Sequence, residues 1–108
     1  MAVAADLLRG YTDSILLRRL LDEDGYGYRI AKTVSAISEG KVELKEATLY
    51  TAFRRLEGAG YIRSYWGSED KGARRRYYCL TDAGREKLDQ DVQTWLETKE
   101  TLAKLLEV

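Results

Sequence analysis

Two clusters of side chains in this 108-residue chain could do chemistry, and that chemistry is anion binding. Lys45, Thr48, Tyr50, Thr51, Arg54 and Arg55 fall in one stretch, and Lys71 with Arg74-Arg75-Arg76 follows. Guanidinium forks match phosphate oxygens two at a time, and lysines add point charges. Short hydroxyls such as Thr48 and Thr51, near a helix start, allow the backbone to come close to DNA. Bond-breaking groups are scarce by comparison. There is no histidine, so the usual general base and the commonest metal ligand are both missing. Cys79 is the single cysteine; alone it makes a poor zinc site and a poor nucleophile. In its strand-like run it reads as a half-buried small hydrophobe. Gly58-Ala59-Gly60 closes a helix and does not open one, so no phosphate loop is present. The expectation is a protein that is not an enzyme and has no metal or cofactor.

The totals set the frame. A chain of this length builds one small core, and an apolar fraction of 44% suits it. No apolar run approaches the roughly 18 residues of a membrane span, and Met1–Asp6 does not resemble a signal peptide. One cysteine fits a reducing compartment, so the cytoplasm is expected. Net charge is zero, but residues 25–80 hold 11 Lys/Arg against 6 Asp/Glu while the flanks hold 7 against 12. The middle can therefore present a basic face with weak long-range steering and salt-sensitive DNA affinity.

The elements that must position these groups can be read from periodicity. The first helix is expected from about Thr12, capped by Thr12 or Asp13, to Asp24. Ile15, Leu16 and Leu20, with Leu17 and Leu21 less regularly, form its apolar face. Gly25-Tyr26-Gly27 turns the chain. A second helix over Tyr28–Ser38 faces inward through Ile30, Ala31, Val34 and Ile37. Val42–Leu44 could be a short strand. The third helix, Lys45–Ala59, turns Ala47, Leu49, Ala52, Phe53 and Leu56 to the core, and Gly60 ends it in a left-handed cap. Tyr61–Gly67 and Arg74–Leu80 are strands about a turn at Ser68–Gly72, and Thr81 caps a last helix toward Val108. A helix backed by a basic hairpin is a winged helix-turn-helix: the helix enters the major groove while the hairpin reaches a neighbouring phosphate track.

The last helix carries a separate message. Leu88, Val92, Trp95, Lys99, Leu102 and Leu106 are spaced as a heptad seam, too long for a small domain to cover. Leu88, Val92, Trp95, Leu102 and Leu106 are therefore expected to bind a second copy of the chain.

Several short motifs occur together in a familiar order. They are Leu8-Arg9-Gly10, Gly27-Tyr28-Arg29-Ile30, Ala47-Thr48-Leu49-Tyr50, Arg55-Leu56-Glu57, Gly60-Tyr61-Ile62, Arg74-Arg75-Arg76-Tyr77-Tyr78 and Leu80-Thr81-Asp82-Ala83-Gly84. From about Leu8 to Trp95 the chain resembles the PadR family of bacterial transcriptional regulators. The single C-terminal helix resembles that of the family's small subfamily. Glu46–Thr51 and Ser64–Gly67 resemble its multidrug-responsive members. That resemblance implies a dimer with a flat pore between the last helices. Trp95 would stack there on a planar aromatic ligand, with Ser14, Arg18, Leu88, Asp91 and Lys99 lining the pore. Arg18, Asp91 and Lys99 depart from those members in charge; facing the pore, they would pair and narrow it, or select a charged ligand. Lys45 replaces a common Asn or Ser, so the third helix lacks a side-chain cap, a loss of about 1 kcal/mol.

Individual residues carry two readings each. Tyr50 touches a phosphate through its hydroxyl or packs its ring on the second helix. Arg54 and Arg55 read bases or hold phosphates, with Glu57 and Asp82 as salt-bridge candidates. Arg76 faces the sheet, and Trp66 packs. Trp95 is dimer core or ligand platform. The expected protein is α+β, mainly α. Residues 1–80 form a winged helix-turn-helix DNA-binding domain, and residues 81–108 form a dimerisation helix. Its expected function is that of a homodimeric repressor on a palindromic operator, released by an aromatic ligand. The competing function is a dimeric winged-helix module that binds protein.

Overall fold

The structure, a computed structural model, describes residue 3, residues 5–67 and residues 74–108. Its elements are α1 (Ala5–Leu8), α2 (Thr12–Asp22), α3 (Gly27–Ile37), α4 (Glu46–Gly58), β1 (Ile62–Gly67), β2 (Arg75–Leu80) and α5 (Asp82–Leu106). The three helices and the hairpin expected from periodicity are all present, and the fold is a winged helix-turn-helix, α+β and mainly α. Leu16 and Leu17 from α2, Ile30 and Val34 from α3, and Leu49, Phe53 and Leu56 from α4 meet in one core closed by Ile62 and Tyr78. Phe53 and Tyr78 stack there with centroids 4.1 Å apart.

Local chemistry sets most of the boundaries. At the end of α4, Gly60 takes φ 84°, Gly60 N–H donates to Glu57 O at 3.0 Å and Tyr61 N–H donates to Leu56 O at 3.0 Å. This is the Schellman closure that a glycine at this place permits. The junction into α5 is tighter still. Thr81 Oγ1 accepts from Gly84 N–H at 3.0 Å and donates to Gly60 O at 2.7 Å, so one hydroxyl ties the exit of α4 to the entry of α5. A Cβ on Gly84 would lie 2.0 Å from Tyr61 O, so only glycine lets the helix seat there.

The hairpin is antiparallel, running in register from Ile62↔Leu80 to Gly67↔Arg75. Ile62, Ser64, Trp66, Arg76, Tyr78 and Leu80 thus share the face toward α4, and Tyr65, Tyr77 and Cys79 share the other. Gly25 adds a bridge to the outer edge: its N–H donates to Tyr78 O at 3.1 Å and its O accepts from Tyr78 N–H at 2.8 Å.

Some expectations need correction. A short α1 precedes the first expected helix, so that helix is α2. Neither Thr12 nor Asp13 caps it: Tyr11 is the N-cap, without a side-chain bond, and Thr12 Oγ1 donates back to Leu8 O at 3.2 Å. Val42–Leu44 is not a strand. Ala47, Ile37 and Leu21 are exposed, because each lies at the margin of its helix's inward face. Gly25 and Gly27 do not have positive φ; they allow close approach, and a Cβ on Gly27 would sit 3.2 Å from both Leu49 Cδ2 and Tyr50 Oη.

Helix α5 changes character along its length. Leu88 is 2% exposed and belongs to the protomer's own core, which removes it from the expected intermolecular seam. Beyond it, Val92, Trp95, Leu96 and Leu102 are each 40–46% exposed. The helix runs out of the domain, and the molecule is 56 Å long but only 21 Å thick.

Candidate nucleic-acid interface

Helix α4 and the inner face of the hairpin enclose a groove of about 600 Å³, bordered by Tyr26, Tyr28, Tyr50, Arg54, Trp66 and Arg74–Arg76. Lys45, Thr48 and Thr51 lie exposed along the first turns of α4, and Lys45 is its N-cap without a side-chain bond, as expected. Tyr50 lays its hydroxyl over Gly27 at the start of α3 and its ring edge-on to Phe53, with 43% of the residue exposed. The ring thus rests on Phe53 of its own helix and the hydroxyl reaches α3 at Gly27, while the outer edge stays open to the groove.

The arginines divide into two kinds. Arg55 is held by Asp13 of α2 through both Nη2 and Nε, the latter at 3.2 Å. That charge-assisted fork raises the Arg55 pKa and ties the recognition helix to α2. The partner is Asp13; the candidates Glu57 and Asp82 are not used. Glu57 instead accepts from Ser64 Oγ at 2.6 Å and from Arg76 Nη2 at 3.3 Å, and Arg76 also donates to Ser64 Oγ at 2.8 Å. Arg76 is therefore the strut between the wing and the end of α4. Arg75 donates to Tyr26 Oη at 2.7 Å with its guanidinium 4.4 Å from that ring. Among the described residues Arg54, Arg74 and Lys45 are exposed and make no ion pair. Lys71 and the expected turn around it lie outside the described residues.

Aromatic groups buttress the wing from its outer face. Tyr65 stacks on Tyr77 at 5.6 Å, Tyr77 meets Tyr26 edge-on at 5.3 Å, and Arg29 lies 5.1 Å from the Tyr26 centroid. Tyr65 Oη donates to Asp24 at 2.6 Å, and this bond to a carboxylate pushes the phenol up to about 12. Sequence reasoning missed Asp13, Asp24 and Tyr65, whose partners lie forty or more residues away along the chain. Trp66 is a correction of another kind. It is not packed: it is 56% exposed, with Arg74 and Arg76 over its ring at 5.4 and 5.9 Å.

A second groove, about 530 Å³, opens between α1, α2, α3 and α5. Ser14, Arg18, Leu88, Asp91 and Trp95 all border it. The three expected charges do not pair with one another. Arg18 binds Asp22 at 2.9 Å; Asp91 accepts from Ser14 at 2.8 Å and from Lys87 at 2.7 Å; Lys99 lies 5.8 Å over the Trp95 ring. The bond to Asp91 raises the Lys87 pKa. Tyr11 meets Trp95 edge-on at 5.6 Å.

A three-helix core, a basic hairpin and a partly uncommitted set of cations along the recognition helix define a winged helix-turn-helix DNA-binding regulator. The transcriptional regulator PadR-like family matches residues 16–90, and the chain belongs to that family, whose members are regulators and not enzymes. A curated relative from Lysinibacillus sphaericus, described only as an uncharacterized protein, is 40% identical over 97% of this chain and 96% of its own length. A transcriptional regulator from Clostridium thermocellum superposes with a TM-score of 0.87 at 42% identity, covering 94% of this chain and 99% of the other. A PadR family transcription regulator from Clostridium difficile gives 0.79 at 39% identity, covering 90% and 99%. Among the described residues no helix is long and apolar enough to cross a membrane.

Proposed function

We propose that the chain is a homodimeric repressor that holds operator DNA with α4 and the wing and is released by a planar aromatic ligand between the α5 helices. The observation that carries the DNA surface is the division among the arginines. Arg55 and Arg76 are tied to Asp13 and Glu57, while Arg54 and Arg74 stand on the two walls of one groove without an ion pair among the described residues. Charges left uncompensated at a groove are available to phosphate. Lys45, Thr48, Tyr50, Thr51, Arg75 and Lys71 complete the proposed contact set. The heptad seam favours dimerisation: Val92, Trp95, Leu102 and Leu106 leave an exposed apolar stripe on α5 that only Lys99 interrupts. Two-fold symmetry then requires a palindromic operator with half-sites about one or two helical turns apart. With DNA as partner, the cytoplasm is the proposed site of action.

The second groove supports the ligand. It is mostly apolar, and Trp95 stands at its edge against Tyr11. Ser14, Arg18, Leu88 and Asp91 border the same space, whereas Lys99 is not among its bordering residues and reaches it only through the Trp95 ring. Their charges are satisfied internally or lie on the Trp95 ring, which favours an apolar planar guest over a strongly charged one. Release would follow if the ligand prefers a dimer geometry that DNA does not.

The test uses the duplex upstream of the chain's own gene. Arg54→Ala with Arg74→Ala should weaken binding on the order of a hundredfold and lower the salt slope by about 2. Unchanged affinity would remove α4 and the wing from the DNA surface. For the ligand, planar aromatic compounds titrated into Trp66→Phe should quench Trp95, and a broad panel without quenching would retire the proposal.

A further inference from the structure

We propose that Trp66 is a DNA-contact residue: the sugar–phosphate strand entering the groove between α4 and the wing lies across its indole. The inference rests on the α4–wing reading above and adds a contact made without charge. Trp66 follows Ile62 and Ser64 on the hairpin face turned toward α4, yet unlike Ile62 it is not covered. At 56% exposure, a large apolar ring stands on the wall of a groove whose other wall carries Arg54 and Tyr50. A tryptophan serving only to pack the hairpin would be buried against the sheet or α4.

Its surroundings hold it in place. Arg74 and Arg76 lie over the ring at 5.4 and 5.9 Å. Arg76 is itself fixed by Glu57 and Ser64, so the indole is anchored through a strut that reaches back to α4. Among the described residues the indole N–H has no acceptor, which leaves a donor for a phosphate oxygen or the deoxyribose ring oxygen. The charge around the groove selects the occupant. Four arginines border it against one carboxylate, Glu57, already taken by Arg76 and Ser64. A polyanion with apolar deoxyribose faces matches both halves of this surface, whereas an apolar peptide or helix would leave the arginines unmatched. Such a contact positions the duplex and does not read its sequence.

The chemistry gives the test a distinctive signature, because removing an uncharged contact lowers affinity but leaves counterion release alone. Binding of a labelled upstream duplex is measured by anisotropy across a salt series for the full chain. Trp66→Ala should bind about tenfold more weakly with an unchanged salt slope, and Trp66→Phe should recover most of the loss. Arg74→Ala should weaken binding while reducing the slope by about 1. In a Trp95→Phe background, duplex should shift or quench Trp66 emission. Wild-type affinity in Trp66→Ala, with only a lowered melting temperature, would overturn the proposal. If Trp66→Ala does not fold, Trp66 emission unmoved by saturating duplex overturns it instead. Failure of the Arg54/Arg74 variants to weaken binding would condemn the α4–wing surface itself; their success beside an inert Trp66→Ala would condemn this contact alone.

Discussion

The two grooves differ in how their charges are spent. In the front groove, between α4 and the wing, Arg54 and Arg74 make no ion pair among the described residues, while Arg76 and the neighbouring Arg55 serve as struts. The rear groove, between α2 and α5, closes its charges on one another: Arg18 on Asp22, and Asp91 on Ser14 and Lys87. One surface therefore presents positive potential to a polyanion, and the other presents an apolar wall with Trp95 at its edge. Residue counts alone do not make this distinction, since arginines border both. What separates them is which carboxylate is within reach.

The largest effect should come from the rear side, where α5 leaves the domain. Val92→Glu with Leu102→Glu places carboxylates on the exposed stripe, and burying them against a partner would leave unpaired charge at the seam. Sedimentation should find single protomers, and operator affinity should collapse because the two reading heads are no longer linked. A variant that still dimerises would move the interface off this stripe. Next comes the foundation shared by both grooves. Gly84→Ala puts a methyl 2.0 Å from Tyr61 O, a backbone atom that cannot swing aside. A loss of about 3 kcal/mol is expected in denaturant unfolding, at the upper end for overpacking. A near-neutral result would mean that α5 can shift on the wing.

A smaller effect separates two neighbours on α4. Arg54→Ala should cost about 1–3 kcal/mol of DNA affinity with little change in stability. Arg55→Ala should do the reverse, losing about 0.5–1 kcal/mol of stability because its pair with Asp13 is largely solvent-exposed. Its DNA affinity should fall by less than about threefold. If Arg55→Ala is the more damaging to DNA binding, the Asp13 fork is broken on the operator and the division among arginines is wrong.

The limits of sequence reasoning follow the same boundary between local and distant partners. Thr81 as a cap, Gly60 as a left-handed stop and the alternation of the two strands are local chemistry, and each was legible because its partner lies within a few residues. The exposure of Val92, Trp95, Leu102 and Leu106 was legible from the heptad spacing. That spacing misled at Leu88, where periodicity cannot tell whether the covering surface belongs to the same chain. Ser14 and Asp91 were brought to one place by resemblance, but their bond spans 77 positions and has no local signal. Asp13 with Arg55 is equally silent in the sequence, so periodicity could not say which of the two neighbouring arginines the fold has used. Trp66 was read as packing because an aromatic residue in a strand usually is; only the strand register shows it facing an open groove.

The smallest effect sharpens the comparison at the wing's outer face, where the phenol of Tyr65 meets Asp24. Its pKa is pushed up to about 12 because the hydrogen bond to the carboxylate needs the proton. In the unfolded chain the same phenol titrates near 10. A folded pKa above the unfolded one means the bond contributes fully below pH 10 and is lost as pH climbs toward 12. Tyr65→Phe should therefore leave DNA binding at neutral pH almost unchanged, since the bond lies on the face turned away from the groove. In ultraviolet titration the variant should lack one late-ionising phenol. The buried Tyr78, raised by desolvation, should remain late in both proteins. Were Tyr65→Phe to weaken operator binding as much as Arg54→Ala, the wing's angle would depend on Asp24, and the outer face would share in the front groove's work.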